Sequence, residues 1–235
     1  MTGPELPPLA VTAKRLFLVR HGEVINPGGD RPVYYGALDV PLSPLGEAEA
    51  RAAATYLQQF AIDLVVSSPL SRAVFGATEI LGMQTTSGDD GDDSGGRVVT
   101  KLEGLRELDR GSWCGQTKDE IGPETMARFD ACDESVTPEG GESYPALKER
   151  VLVARDEVLG KLSPGQTAAI VSHLQVTRSV LSDALGVPTA EMAGLPVATA
   201  SVTCIDYDAE DGTPTVHFRS FKPDAGLEKS KDGAN

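Results

Sequence analysis

Residues 15–20 (RLFLVR) form a short apolar, β-branched and aromatic run with no helical period, the pattern of a buried strand. Residues 62–67 (IDLVVS) repeat it, residues 97–102 (RVVTKL) give a third strand, and residues 165–172, with the run TAAIVS, a fourth. Between them, Ser43-Pro44 supplies an N-cap and a first-turn proline for an Ala-rich helix over residues 45–60. Residues 69–81 follow the second strand as a helix, and further helical stretches are expected near residues 118–130, 143–161 and 176–185, the last ended by Gly186 and Pro188. Residues 198–207 and 215–221 read as a closing hairpin around Glu210-Asp211-Gly212. Strands alternating with helices predict an α/β fold: a three-layer α/β/α sandwich with a mainly parallel central sheet and helices on both faces.

One domain over residues 14–222 accounts for this pattern. It is flanked by a disordered lead-in at 1–13 and a polar tail at 223–235. Residues 84–96 are rich in Gly, Ser and Asp, with Asp89, Asp90, Asp92 and Asp93, and read as a flexible acidic loop. Their spacing lacks the ligand pattern of an EF-hand.

In parallel sheets ligands bind beyond the carboxyl ends of the strands. Arg20-His21, residues 67–72, Glu107 and His173 all fall at or just beyond such ends. The formal net charge of −14 argues against a nucleic-acid partner or an anionic membrane surface, so an anion pocket here must be a small positive island in a negative field. No apolar run approaches the roughly 18 to 20 residues needed to cross a bilayer. Cys114, Cys132 and Cys204 are widely spaced and form no C-x-x-C pair, which suggests reduced thiols rather than a disulfide framework or zinc site. Residues 1–13 lack the charged start and apolar core of a targeting peptide; a cytoplasmic protein is expected, with organellar residence after removal of a longer leader left open. A homodimer is compatible with the sequence, and no cofactor is expected.

Phosphoryl transfer needs a nucleophile, positive donors around the phosphoryl oxygens and a proton for the departing alkoxide. His21 and His173, two of three histidines, and Arg20 and Arg72 are placed to supply the first two. A lone histidine after a strand is more often a hydrogen-bonded structural residue, but four strings together are more specific. LVRHGEV at 18–24, SSPLSRA at 67–73, LRELDRGSWCG at 105–115 and VSHLQVTR at 171–178 resemble, in order and separation, the motifs of the histidine phosphatase superfamily, also called phosphoglycerate-mutase-like. The stretch YGALDVPLSPLGEAEA at 35–50 is similar to the one that follows the first motif in that family.

The resemblance implies that His21 is the nucleophile that becomes phosphorylated, that Arg20 and Arg72 hold the phosphoryl group, that His173 is the second pocket histidine, and that Glu107 donates the leaving-group proton. It also implies a small cap-like insertion at 116–145, including PEGGESY at 138–144. Attack through a neutral ring nitrogen requires an acceptor on the other nitrogen of His21. His173, if protonated, would add positive charge. Gly22 either presents backbone amides to the phosphate or serves a plain turn. Asn26, Tyr35, Gly36 and Leu174 are candidate substrate-binding residues, though a packed loop explains Tyr35 and Gly36 equally well. Leu174 departs from the glycine usual after the second histidine. Trp113 reads as a packing anchor for the Glu107 loop, and His217 as structural.

The residue after Glu107 is Leu108, and between Gln116 and Glu142 the basic residues are Lys118 and Arg128. A doubly anionic ligand would then be poorly neutralised, and the S-x-W-N continuation of the mutases is replaced by Val24-Ile25-Asn26. The expectation is a metal-independent phosphomonoesterase acting on a small phosphorylated metabolite. The alternatives are a phosphoglycerate mutase, a catalytically weak phosphate-binding member of the same fold, or a protein phosphatase.

Overall fold

Strand β1 (Ala13–Arg20) sends Leu16 and Leu18 into one apolar core and Phe17 and Val19 into another, so it is covered on both faces. The structure, a computed structural model, describes residues 3–84, 98–226 and 233–234. After the short β2 (Val24–Ile25) come α1 (Pro44–Leu57), β3 (Leu64–Ser67), α2 (Ser71–Gln84) and β4 (Thr100–Lys101). Then follow α3 (Lys118–Ile121), α4 (Pro123–Asp130), α5 (Tyr144–Lys161), β5 (Thr167–Ser172) and α6 (Leu174–Ala184). The chain closes with β6 (Val202–Asp208), β7 (Pro214–Phe221) and β8 (Gly233–Ala234), the last paired to β2.

The main sheet has the order β4-β3-β5-β1-β6-β7. Its first four strands are parallel, and β6 and β7 add an antiparallel edge. Side chains of α1 and α2 cover one face, packing Ala53, Ala54, Leu57, Ala73 and Ile80 on Phe17 and Val171. Those of α4, α5 and α6 cover the other, where Phe129, Leu147, Val151, Val180 and Leu181 meet Leu18 and Ile170. This is the three-layer α/β sandwich that the alternation of elements predicts.

Register places the chemistry. Arg20 pairs with Ser172 and Ser67 with Val171, so three adjacent strands end in line. The residues just beyond, His21, His173 and Ser68, therefore emerge side by side.

Some elements differ from the sequence reading. The helix expected over 118–130 is two, because Gly122 takes φ +97° and Pro123 starts a new helix without needing a backbone donor. The strand expected over 97–102 is limited to β4 within the described residues. In the lead-in expected to be disordered, Pro7 O accepts from Arg15 Nη2 at 3.1 Å, Pro4 O from the Tyr56 hydroxyl, and Leu6 packs on the α1/α2 side of the sheet. The acidic loop expected at 84–96 lies, apart from Gln84, outside the described residues. His217, inside β7, bonds Asp206 at 2.7 Å, and Asp206 also pairs with Arg15 across the sheet edge. Among the described residues no helix is long and apolar enough to cross a membrane.

Candidate active site

The turn after β1 is possible because Gly22 and Gly46 lack side chains: a Cβ on either would collide with the other segment's backbone. Ser43 anchors both sides of this contact. Its Oγ caps α1 by accepting from Gly46 N at 3.1 Å and donates to Glu23 Oε1 at 2.7 Å. Glu49, buried on α1, accepts the Glu23 amide at 2.8 Å and also receives Thr199 and Lys222. The turn that carries His21 is thus tied to α1 and to the segment following β7.

His21 is buried, and its Nδ1 lies 2.7 Å from the Gly22 carbonyl. A carbonyl can only accept, so Nδ1 carries the hydrogen and Nε2 keeps its lone pair. Burial, then Arg72 and Arg20, hold this imidazole well below the usual histidine value, which keeps it neutral. His173 sits beside it, ring centroids 5.1 Å apart. Burial, Arg72, His21 and Arg20 likewise push His173 well down, so the free site holds a neutral ring rather than the protonated one considered above. Its Nε2 is 2.7 Å from Ser68 Oγ.

Arg20 Nη1 donates to Val197 O at 2.8 Å, and Arg72 gives its Nη groups to Leu38 O and Gly36 O at 2.6 and 2.8 Å. Around the histidines, the nitrogens Arg20 Nε, Arg72 Nε and His173 Nδ1 are buried without a partner among the described residues. Orphaned buried donors are costly unless a ligand meets them. Two fixed guanidinium charges next to a neutral histidine with a free lone pair suit a phosphoryl group.

Glu107 stands across the site, its carboxylate held by Leu108 N at 2.8 Å and by Gln175 N, in the first turn of α6, at 3.3 Å. Arg150 on α5 clamps the loop that carries it. Its guanidinium donates to the carbonyls of Gly104, Arg106 and Glu107 and pairs with both oxygens of Glu142. Trp113 stacks edge-on against Phe129 at 5.1 Å, below that loop.

Arg20, His21 and Glu107 open into a cavity of about 750 Å³ that Asn26, Tyr35, Gly36 and Leu174 also line. Asn26 spends its amide on its own loop, accepting from Gly28 N and donating to Arg31 O. The Tyr35 ring covers the Arg72 guanidinium at 5.4 Å, and burial raises its phenol despite Arg20 and Arg72. Gly36 has φ +44°, and a Cβ there would lie 2.5 Å from Leu108 O, so glycine is required where the pocket loop touches the Glu107 loop. Leu174 opens α6 directly after His173.

Three arginines escaped the sequence reading. Arg110 and Arg178 line the cavity, which corrects the expectation that a doubly anionic ligand would be poorly neutralised. Arg150 acts from outside it. Arg178 stands within the VSHLQVTR string, one turn into the helix that follows His173, and Arg110 within LRELDRGSWCG, which were the available signals; Arg150 carries none that is local. Lys118 lines the cavity as well, whereas Arg128 is paired with Asp133. Among the described residues no group of three or more His, Cys, Asp or Glu side chains gathers as a metal site.

An α/β sandwich with two neutral histidines and two arginines meeting at its strand ends defines a phosphate-handling enzyme. The sequence model of the histidine phosphatase superfamily (branch 1) matches residues 16–218, and the chain belongs to that family. It is 31% identical to phosphoserine phosphatase 1 of Hydrogenobacter thermophilus, over 83% of this chain and 87% of that protein. It is 33% identical to glucosyl-3-phosphoglycerate phosphatase of Mycobacterium tuberculosis, over 78% and 80% of the two chains. A 2,3-bisphosphoglycerate-dependent phosphoglycerate mutase of Cytophaga hutchinsonii is also similar, at 26% identity over 83% of this chain and 88% of the mutase. The solved structure of Bacillus stearothermophilus YhfR superposes with a TM-score of 0.74 at 26% identity, covering 88% of this chain and 97% of that one. The protein is a phosphatase.

Proposed function

We propose that the protein is a metal-independent phosphomonoesterase that hydrolyses a small phosphorylated metabolite through a phosphohistidine on His21. The observation that carries this reading is the group of buried, unpartnered donors on Arg20, Arg72 and His173 around the free Nε2 of His21. The phosphoryl oxygens would satisfy those donors. With Ser68 Oγ as the donor in its 2.7 Å contact with His173 Nε2, the neutral ring would carry its hydrogen on Nδ1 and bond a phosphoryl oxygen.

In the first step His21 Nε2 bonds to phosphorus as the ester P–O bond breaks, and the departing alkoxide takes a proton from Glu107. In the second, the oxygen of water bonds to phosphorus as the P–Nε2 bond breaks, its proton passing to the Glu107 carboxylate, which releases phosphate and restores neutral His21. The two backbone donors from Leu108 and Gln175 hold the carboxyl in place for both steps.

Mutase action is the second reading, supported by the Cytophaga relative and by the two cavity arginines. Phosphate release from p-nitrophenyl phosphate, assayed beside 3-phosphoglycerate with and without 2,3-bisphosphoglycerate, separates the two. Hydrolysis of the former without bisphosphate supports the phosphatase reading. Bisphosphate-dependent interconversion of phosphoglycerates with no net phosphate release would replace it.

A further inference from the structure

Most of the cavity volume is not needed for a phosphoryl group, and the wall facing Glu107 has its own chemistry. Arg178 on α6 donates Nε to Leu195 O at 2.8 Å, two residues from the carbonyl that seats Arg20. That is the hydrogen bond its guanidinium makes among the described residues, and its Nη edge is left to the cavity it lines. An Arg fixed through Nε presents two parallel N–H donors at that edge, the geometry that matches a carboxylate.

Beside it Arg110 is sandwiched between Tyr34 and Phe129, its guanidinium 4.5 and 5.5 Å from their ring centres. It is only 6% exposed, yet its Nη1 has no hydrogen-bond partner among the described residues. A buried guanidinium held on aromatic faces, with an unused donor, has its desolvation cost met only in part. Tyr144, whose burial raises its phenol to about 12 and so keeps it neutral, donates to Asp130 Oδ1 at 3.3 Å. Asp130 also lines the cavity, and it and Glu107 both act on the Arg178 charge. Lys118 and Asp119 line the cavity as well. The two-donor edge of Arg178 and the spare Nη1 of Arg110 suit a planar carboxylate.

We infer that Arg178, with Arg110 behind it, forms a carboxylate subsite, and that the enzyme selects phosphomonoesters whose alcohol part carries a carboxylate. This rests on the phosphatase reading above and deepens it. The ester would lie with its phosphoryl group between Arg20 and Arg72 and its carboxylate on Arg178. Binding energy at the second anchor would orient the leaving oxygen toward Glu107.

The test compares matched esters on the intact enzyme: 2-phosphoglycolate against ethyl phosphate, and 3-phosphoglycerate against glycerol 3-phosphate, with 2,3-bisphosphoglycerate as a third arm. The carboxylated member of each pair should have a kcat/KM higher by about 10- to 100-fold, as for a hydrogen-bonded charge. In Arg178→Gln the ratio should collapse toward one, while Arg178→Lys keeps part of it, and Arg110→Leu should lower it as well. A wild-type ratio near one overturns the subsite whether or not any variant folds, and leaves the phosphatase reading standing. Preference for the bisphosphate over both carboxylated monoesters overturns the assignment to a carboxylate. Failure of the wild type to hydrolyse these esters and p-nitrophenyl phosphate alike overturns the phosphatase reading, and the subsite with it.

Discussion

His21 and His173 lie edge to face, their ring centroids 5.1 Å apart at 61°, because Arg20 and Ser172 are paired neighbours in a parallel ladder and each histidine is the next residue along. Both rings are buried, and burial together with the adjacent arginines keeps both neutral.

That burial predicts a pH dependence of stability. The folded values of both histidines are depressed, while in the unfolded chain they return to about 6.5. Below that pH the unfolded chain takes up protons that the folded chain excludes. The contribution is therefore complete above about pH 6.5 and declines as the pH falls, by about 1.4 kcal/mol per pH unit for each histidine until its folded value is reached. Urea denaturation between pH 7 and about pH 5 should show this slope, and His173→Asn should remove about half of it. Equal slopes in the two proteins would contradict the burial argument.

Gly36→Ala should be costly at a position with no catalytic atom. Its φ of +44° strains any side chain, its new methyl would press on Leu108 O and Arg110, and its carbonyl seats Arg72. A loss of about 1–3 kcal/mol in unfolding free energy is expected. Weaker competitive inhibition by inorganic phosphate should accompany it, since Arg72 would shift. Unchanged phosphate affinity would uncouple Gly36 from the site.

Replacing Glu107 by Gln keeps the size and removes the proton. Turnover of an alkyl phosphate should fall by about 10² to 10⁴, and that of p-nitrophenyl phosphate by much less, because its leaving group departs as a stable anion. An equal loss for both substrates would mean that Glu107 does not serve the leaving group.

Lys222 reaches the buried Glu49 carboxylate, which also holds the Glu23 amide next to the His21 turn. Lys222→Met leaves that carboxylate with fewer donors and should lower stability by about 1–3 kcal/mol in urea titrations. A neutral result would assign the anchoring of Glu49 to Thr199 and Glu23 alone.

Much of this site is legible in the chain before folding. Arg20, His21 and His173 end or follow apolar runs and Arg72 stands at the start of the helix after one, and strand ends are where an α/β sheet gathers its chemistry. Glu107 is different: expected just beyond a strand end, it lies six residues past β4, beyond a single 3-10 turn, and its role came from the motif resemblance. Gly122-Pro123 held the break between α3 and α4 in plain sight, as a dipeptide that stops one helix and starts another. Arg150 was not legible, since it acts through carbonyls more than forty residues away, and for Arg110, although it stands in the LRELDRGSWCG string, the rings of other segments that hold it were not. Charge counting near Glu107 undercounted the pocket for the same reason: Arg178 comes from α6, which the sheet returns to the site.

The central claim is that His21 Nε2 forms the covalent intermediate, and acid sensitivity of the trapped enzyme tests it most directly. Rapid mixing with a ³²P-labelled phosphomonoester followed by quenching should give a phosphoenzyme that is stable in base and labile in acid, carried by the peptide containing His21 and absent from His21→Ala. A label stable in acid, a label on another residue, or full turnover by His21→Ala would contradict the account.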